Sequence, residues 1–254
     1  MPSPLQSDKA KQAGRTVRAY SVHVLTASGI VFAFLAVAEL FAASPDPRWV
    51  FGWLAIAGFI DAADGPLARM WDVKTHAARI GGGVIDGIVD YLTFTFIPLL
   101  LIWRMGWLPD PVALWVVPAM GASLFGFANT RAKQTDAGFF LGFPSYWNIV
   151  AYYVGILVVQ FGFAGAVFSA GSIVVFTVLT VLPVRFIYPN QVAPPWRAPI
   201  IIGGIAWVAL LLALLPTYPT VSVGWLALSF VYPAFYFALS AYLDVTARRE
   251  EAVS

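Results

Sequence analysis

Runs of apolar residues long enough to cross a lipid bilayer recur along the whole of this chain. A spanning helix needs roughly 20 mostly apolar residues, and about eight stretches meet that length. They lie near 20–43, 48–69, 81–103, 112–130, 145–163, 166–186, 199–216 and 222–243. Turn chemistry separates them: Ser44-Pro45-Asp46-Pro47, Pro109-Asp110-Pro111, Pro189-Asn190, Pro194-Pro195 and Pro216. The boundary between the fifth and sixth is the softest, a patch of small residues from Gly162 to Gly165, where one long bent segment also fits. Composition points the same way. At 60% hydrophobic and 11% charged residues, and a mean hydropathy of +0.79, the chain holds more apolar surface than one soluble core can hide. Disorder and a broad basic face for nucleic acid are excluded by the same numbers. The absence of cysteine excludes disulfides, thiolate metal sites and a cysteine nucleophile. The expected fold is an all-α integral membrane protein with about eight transmembrane helices.

Lysine and arginine set the orientation. With an inside N-terminus, the inner segments carry Lys9, Lys11, Arg15, Arg18, Arg69, Lys74, Arg79, Arg131, Lys133, Arg185, Arg197, Arg248 and Arg249, leaving Arg48 and Arg104 outside. Thirteen of the 15 basic residues thus share one side, and an even number of spans makes both termini cytoplasmic. The domain plan is a basic N-terminal arm (1–19), a single transmembrane domain (20–243) and a cytoplasmic tail (244–254). The arm reads either as a topology signal or as an amphipathic segment lying on anionic headgroups.

Most acidic residues sit at ends or loops, where water solvates them. Asp61 and Asp64 lie inside the second stretch, and Asp86 and Asp90 inside the third. An aspartate at a helix centre costs about 2.5–3.5 kcal/mol, so four uncompensated would cost on the order of 10–14 kcal/mol. That rivals the whole stability of a typical domain. Counted from the flanking Arg69 and Arg79, all four fall roughly 8–16 Å below the inner boundary. Each pair, at i, i+3 and i, i+4, shares a helix face, and an antiparallel hairpin over 61–90 brings the pairs to one depth. Converging carboxylates need a strong positive charge among them. Hard oxygen ligands without cysteine or a nearby histidine favour Mg²⁺ or Mn²⁺, and two divalent ions would balance four charges. Protonated aspartates paired with arginine, serine or threonine are the alternative.

Gly65, Ala68, Gly82 and Gly83 surround the acids, where small side chains allow close approach of a ligand or of a neighbouring helix. Arg69 sits one turn inward of Asp64, placed either for a phosphate oxygen or as a topology charge.

In order, these residues read Asp61-Ala-Ala-Asp64-Gly65-Pro-Leu-Ala68-Arg69, then twelve residues, then Gly82-x₃-Asp86-x₃-Asp90. The pattern resembles the signature of the CDP-alcohol phosphotransferases, D-x₂-D-G-x₂-A-R, a spacer, then G-x₃-D-x₃-D. The spacer is longer than the commoner one of that family. In that respect the chain is most similar to the bacterial phosphatidylcholine synthases, as it is in overall size and in Val22-His23-Val24-Leu25-Thr26-Ala27-Ser28-Gly29 at the start of the first span. The segment from Gly142 to Asn148 is similar to that branch and to some phosphatidylserine synthases. The resemblance implies transfer of the phosphatidyl group from CDP-diacylglycerol to choline, with CMP released. It implies that Asp61, Asp64 and Asp86 bind metal, that Asp90 is the general base and also touches a metal, and that Arg69 contacts a phosphate. It further implies that Gly65, Ala68 and Gly82 make room for the nucleotide, and that the enzyme is a homodimer in a bacterial inner membrane with its site toward the cytoplasm.

Choline's quaternary ammonium has no N–H, so ordinary hydrogen bonds cannot hold it, whereas aromatic faces or a carboxylate can. The start of the fifth span offers Tyr146, Trp147, Tyr152 and Tyr153, with Asn148 for the hydroxyl or a phosphate. An interfacial aromatic belt is the plainer account of Tyr146 and Trp147. Arg131 and Arg185 are candidates for further phosphate contacts; Arg185 lies inside an apolar run at the end of the sixth stretch. His76, in the spacer, reads as a solvated loop residue or a nucleotide contact, and His23 as an interfacial or packing residue. Two rival functions stay open: the same chemistry with serine, inositol or glycerol phosphate as acceptor, and a cation transporter using the aspartates as a relay.

Overall fold

The structure is a computed structural model and describes residues 4–129, 133–134, 138–189 and 191–251. It is an all-α integral membrane protein with one very small sheet. Among the described residues, six helices are long and apolar enough to cross a membrane: Gln12–Leu40, Pro47–Met70, Gly82–Met105, Trp147–Val181, Arg197–Thr217 and Val223–Arg249. The chain divides into two compact units, Met1–Ile97 and Pro98–Ser254.

The first unit opens with α1 (Pro4–Leu40), which runs without a break through the predicted arm into the first span. It packs along α2 (Pro47–Met70). The buried residues of α1 include Ala19, Val22, Ala33, Ala36 and Leu40, and those of α2 Val50, Phe51, Leu54 and Ala57. Alanine at so many buried positions lets the two backbones come close. The outward residues Phe34 and Phe59 are more than half exposed, as suits helices whose solvent is lipid. Asp46 caps α2, accepting from the Arg48 N–H at 2.9 Å, and Pro47 supplies a preset first turn. After the short α3 (Val73–His76) come α4 (Gly82–Asp90), a π-helical turn (Tyr91–Phe96) and α5 (Ile97–Met105), together one span. Gly29 of α1 leaves space for Val89 of α4; a Cβ there would stand 2.7 Å from the Val89 Cγ1.

In the second unit the fourth predicted stretch is α6 (Ala113–Ala128), only 16 residues long. The fifth and sixth stretches form one 35-residue element, α7 (Trp147–Val181), broken where Gly162 adopts φ 55° and ψ −132°. Residues eight apart along a straight helix are separated by about 12 Å, yet a Cβ on Gly165 would overlap the Leu157 carbonyl. The chain therefore doubles back within four residues, which only a glycine at a positive φ permits cheaply. The expected pair of spans is an interrupted hairpin rather than two helices with a loop.

Between and beyond these helices, β1 (Lys133–Gln134), β2 (Phe139–Leu141) and β3 (Arg185–Ile187) form an antiparallel sheet, with Phe139 opposite Ile187 and Leu141 opposite Arg185. Arg185 thus sits on a strand, whereas the apolar run predicted the end of a helix. α8 (Arg197–Leu214) and α9 (Val223–Ser229) precede α10 (Val231–Glu251). α10 covers β3: the Ser240 hydroxyl accepts from the Ile187 N–H at 3.3 Å and the Tyr236 hydroxyl donates to the Ile187 carbonyl at 2.8 Å.

Candidate active site

The signature hairpin brings three of its four aspartates together. One carboxylate oxygen from each of Asp61, Asp86 and Asp90 lies within 4.8 Å of the other two, and all three side chains are half-buried. Asp61 comes from α2. Asp86 and Asp90 stand one helical turn apart on α4, and the π-helical turn begins directly after Asp90. Pro66 of α2 has no N–H, so the Ala62 carbonyl beside Asp61 loses its normal helical donor. The three carboxylates could hold a metal ion. Two oxygens on opposite sides of a Mg²⁺-sized ion at roughly 2.1 Å are about 4.2 Å apart, so the observed spread fits a shared cation with little movement.

Asp64 is not in this group. It is 7% exposed, and its Oδ2 accepts a hydrogen bond of 2.6 Å from the Thr26 hydroxyl of α1. Thr26 also lies 3.1 Å from the Val22 carbonyl. One hydroxyl has one proton, and the shorter, charge-assisted contact to the carboxylate is the stronger claim on it.

The small residues divide by what they touch. A Cβ on Gly65 would stand 3.6 Å from an Arg69 guanidinium nitrogen, so Arg69 folds back one turn over Gly65. Ala68 packs with Tyr20, Leu67 and Trp71 against the buried cluster of Ala19, Val22, Val73 and Ala77; its small size serves helix packing. A Cβ on Gly82 would stand 2.6 Å from Cε1 and 2.9 Å from Nδ1 of His23. Gly82 therefore accommodates a histidine ring, where the resemblance implied room for the nucleotide. His76 closes α3 and is half-buried.

In the second unit, Arg185 reaches Asp244 of α10, Nε to Oδ1 at 3.9 Å, with both side chains largely buried. Its guanidinium carbon lies 5.9 Å from the centre of the Phe139 ring. Asp244 also accepts from Arg248 Nε at 2.9 Å. Arg131 falls outside the described residues. Of the expected acceptor residues, Tyr146 is 45% exposed while Trp147 is fully buried. The Trp147 indole donates to the Ser123 hydroxyl at 2.7 Å. Tyr152 donates to the Leu211 carbonyl at 2.9 Å and Tyr153 to the Ser229 carbonyl at 3.0 Å. Their rings meet edge-on, and Tyr153 stacks on Phe230. The Asn148 amide oxygen accepts from the Ile149 N–H. Trp147, Tyr152 and Tyr153 are thus engaged in tying helices together.

No family model matches the chain. It is 37% identical over 183 residues to phosphatidylcholine synthase of Rhizobium meliloti, covering 69% of this chain and 70% of that one. To phosphatidylcholine synthase of Pseudomonas aeruginosa it is 36% identical over 176 residues, 69% and 71% of the two chains. To that of Legionella pneumophila it is 33% identical over 240 residues, 88% of each. The chain belongs to the phosphatidylcholine synthase family. For a member of this family, two polar residues outside the signature stand out, Thr26 and His23, both on the buried face of α1. Their spacing of i, i+3, with Gly29 a further three residues on, is the trace they leave in the sequence.

Proposed function

We propose that the chain makes phosphatidylcholine by transferring the phosphatidyl group of CDP-diacylglycerol to the hydroxyl of choline, releasing CMP. The observation that carries the reading is the convergence of Asp61, Asp86 and Asp90 in a chain of this family. Asp61, Asp64, Asp86 and Asp90 would hold Mn²⁺ or Mg²⁺, two ions per site, with the Thr26 hydroxyl orienting the Asp64 carboxylate. Such ions, when bound, would stabilise charge on the phosphoryl oxygens and align the reacting groups.

Asp90 takes the proton of the choline hydroxyl as its oxygen bonds to the lipid-linked phosphorus; the bond from that phosphorus to the CMP oxygen breaks. A half-buried position limits competing hydrolysis by water. Arg69, folded over Gly65, binds a phosphate oxygen. Tyr146 is the exposed member of the aromatic set, and an aromatic face suits a quaternary ammonium. Thirteen of the 15 basic residues on one side of the predicted topology support a cytoplasmic-facing site in the inner membrane, and the resemblance supports a homodimer.

The test is purified protein with CDP-diacylglycerol and Mn²⁺, offered radiolabelled choline, serine or inositol. Labelled lipid from choline is expected. Lipid from serine alone overturns the acceptor, and no CMP from any acceptor overturns the transfer.

A further inference from the structure

His23 is held in an unusual way for a residue facing lipid-embedded helices. It is 6% exposed, and its Nε2 is buried with no hydrogen-bond partner among the described residues. The ring is wedged. Tyr20 meets it edge-on at 6.2 Å, and the absent side chain of Gly82 admits its Cε1–Nδ1 edge. A buried polar atom without a partner costs about 1–3 kcal/mol, and in native proteins such atoms are rare enough to call for a specific cause. Packing alone would be served better by leucine. The place is telling. Gly82 opens α4, and Gly82, Asp86 and Asp90 recur at i, i+4 and i+8. Thr26, one turn along α1 from His23, bonds Asp64. His23 therefore borders the aspartate hairpin from the α1 side.

We propose that the His23 Nε2–H is a hydrogen-bond donor to the donor substrate, taking an acceptor oxygen of the cytidine nucleotide, and that Gly82 is glycine so that this ring can occupy its place. The inference rests on the reading of the hairpin as the CDP-diacylglycerol site. A nucleotide phosphate and the cytosine carbonyl share the required chemistry, an oxygen acceptor.

The experiment uses the full chain in detergent with Mn²⁺ and two variants, His23→Gln, which retains an N–H donor, and His23→Leu, which fills the space without one. KM for CDP-diacylglycerol and for choline, inhibition by CMP and by cytidine, and the thermal midpoint are measured for each. His23→Leu should raise KM for CDP-diacylglycerol about 10- to 100-fold with KM for choline unchanged and the midpoint not lowered. His23→Gln should recover much of the loss. Weakening of CMP but not cytidine assigns the phosphate; weakening of both assigns the base. Identical KM values for the two variants, or equal changes toward both substrates that track a lower midpoint, overturn the proposal. Absence of CMP inhibition and turnover in the unaltered protein would instead refute the reading of the hairpin.

Discussion

The Thr26 hydroxyl donates to Asp64 Oδ2 at 2.6 Å, joining α1 to the signature helix α2 at a point where both side chains are more than nine-tenths buried. The bond gives Asp64 a different situation from Asp61, Asp86 and Asp90, whose oxygens face one another. It restrains the carboxylate's rotation from the α1 side.

Replacing Thr26 should therefore act through Asp64. Thr26→Val preserves shape and leaves the buried carboxylate without its donor, which should cost about 1–3 kcal/mol of stability. If Asp64 is a metal ligand, losing such a supporting bond should weaken Mn²⁺ binding by about 10- to 100-fold. Thr26→Ser should restore both. Mn²⁺ titration monitored by electron paramagnetic resonance checks this; a Thr26→Val protein with unchanged half-saturation would leave the bond a packing device only.

The three converging carboxylates predict different losses for different members. EDTA should abolish turnover, and Mn²⁺ or Mg²⁺ should restore it. Asp61→Asn or Asp86→Asn should raise the Mn²⁺ concentration needed for binding, because each replaces an anionic ligand by a neutral one. Asp90→Asn should eliminate turnover while CDP-diacylglycerol binding, followed by CMP competition, survives largely intact. Near-normal turnover in that variant removes Asp90 from the role of base.

The sequence was most readable where one physical demand dominated. Four aspartates in apolar stretches had to be compensated; their helical spacing predicted all four together, and Asp61, Asp86 and Asp90 do converge, while Asp64 is bonded to Thr26. It was less readable where a residue type serves two demands equally. Nothing in composition separates a glycine that admits substrate from one that admits a histidine, and Gly82 proved to be beside His23. An aromatic run reads alike as ligand cage or helix clamp; Tyr152 and Tyr153 are clamps, their hydroxyls bonded to the backbone of other helices. The fourth stretch was read over 112–130, whereas its helix covers Ala113–Ala128 and ends where the polar Asn129 follows. The Thr26–Asp64 bond spans 38 residues, a separation that periodicity on either helix cannot reveal.

Asp46 should contribute a pH-dependent part of stability outside the membrane. Its carboxyl is held below the usual carboxylate range, first by the side-chain hydrogen bond from Arg48 and further by the Arg48 N–H and charge. A depressed folded-state value means that the contribution is complete above the unfolded value near 3.8 and fades as pH falls through the lower folded one. Asp46→Asn keeps a competent helix cap but cannot titrate. The stability difference between the two proteins should be constant from pH 7 to about 5 and close on further acidification. A difference that persists unchanged at pH 2 would show that the charge contributes nothing.

Arg185 and Asp244 pose the remaining choice, between a phosphate-binding arginine and a structural pair. Their 3.9 Å separation is loose for a hydrogen bond, but both side chains are more than four-fifths buried, so each neutralises a charge that water does not. Removing one partner strands the other, and for buried pairs that costs up to about 3–5 kcal/mol; the second arginine on Asp244, Arg248, should soften the loss at the Arg185→Leu end. Asp244→Leu should therefore destabilise more than Arg185→Leu, and the double variant less than the sum of the two. If Arg185 instead binds substrate phosphate, Arg185→Leu raises KM for CDP-diacylglycerol in a protein whose thermal midpoint barely moves. The burial of both side chains and the Phe139 ring beside the guanidinium favour the structural outcome, in which midpoint and activity fall together and KM does not change.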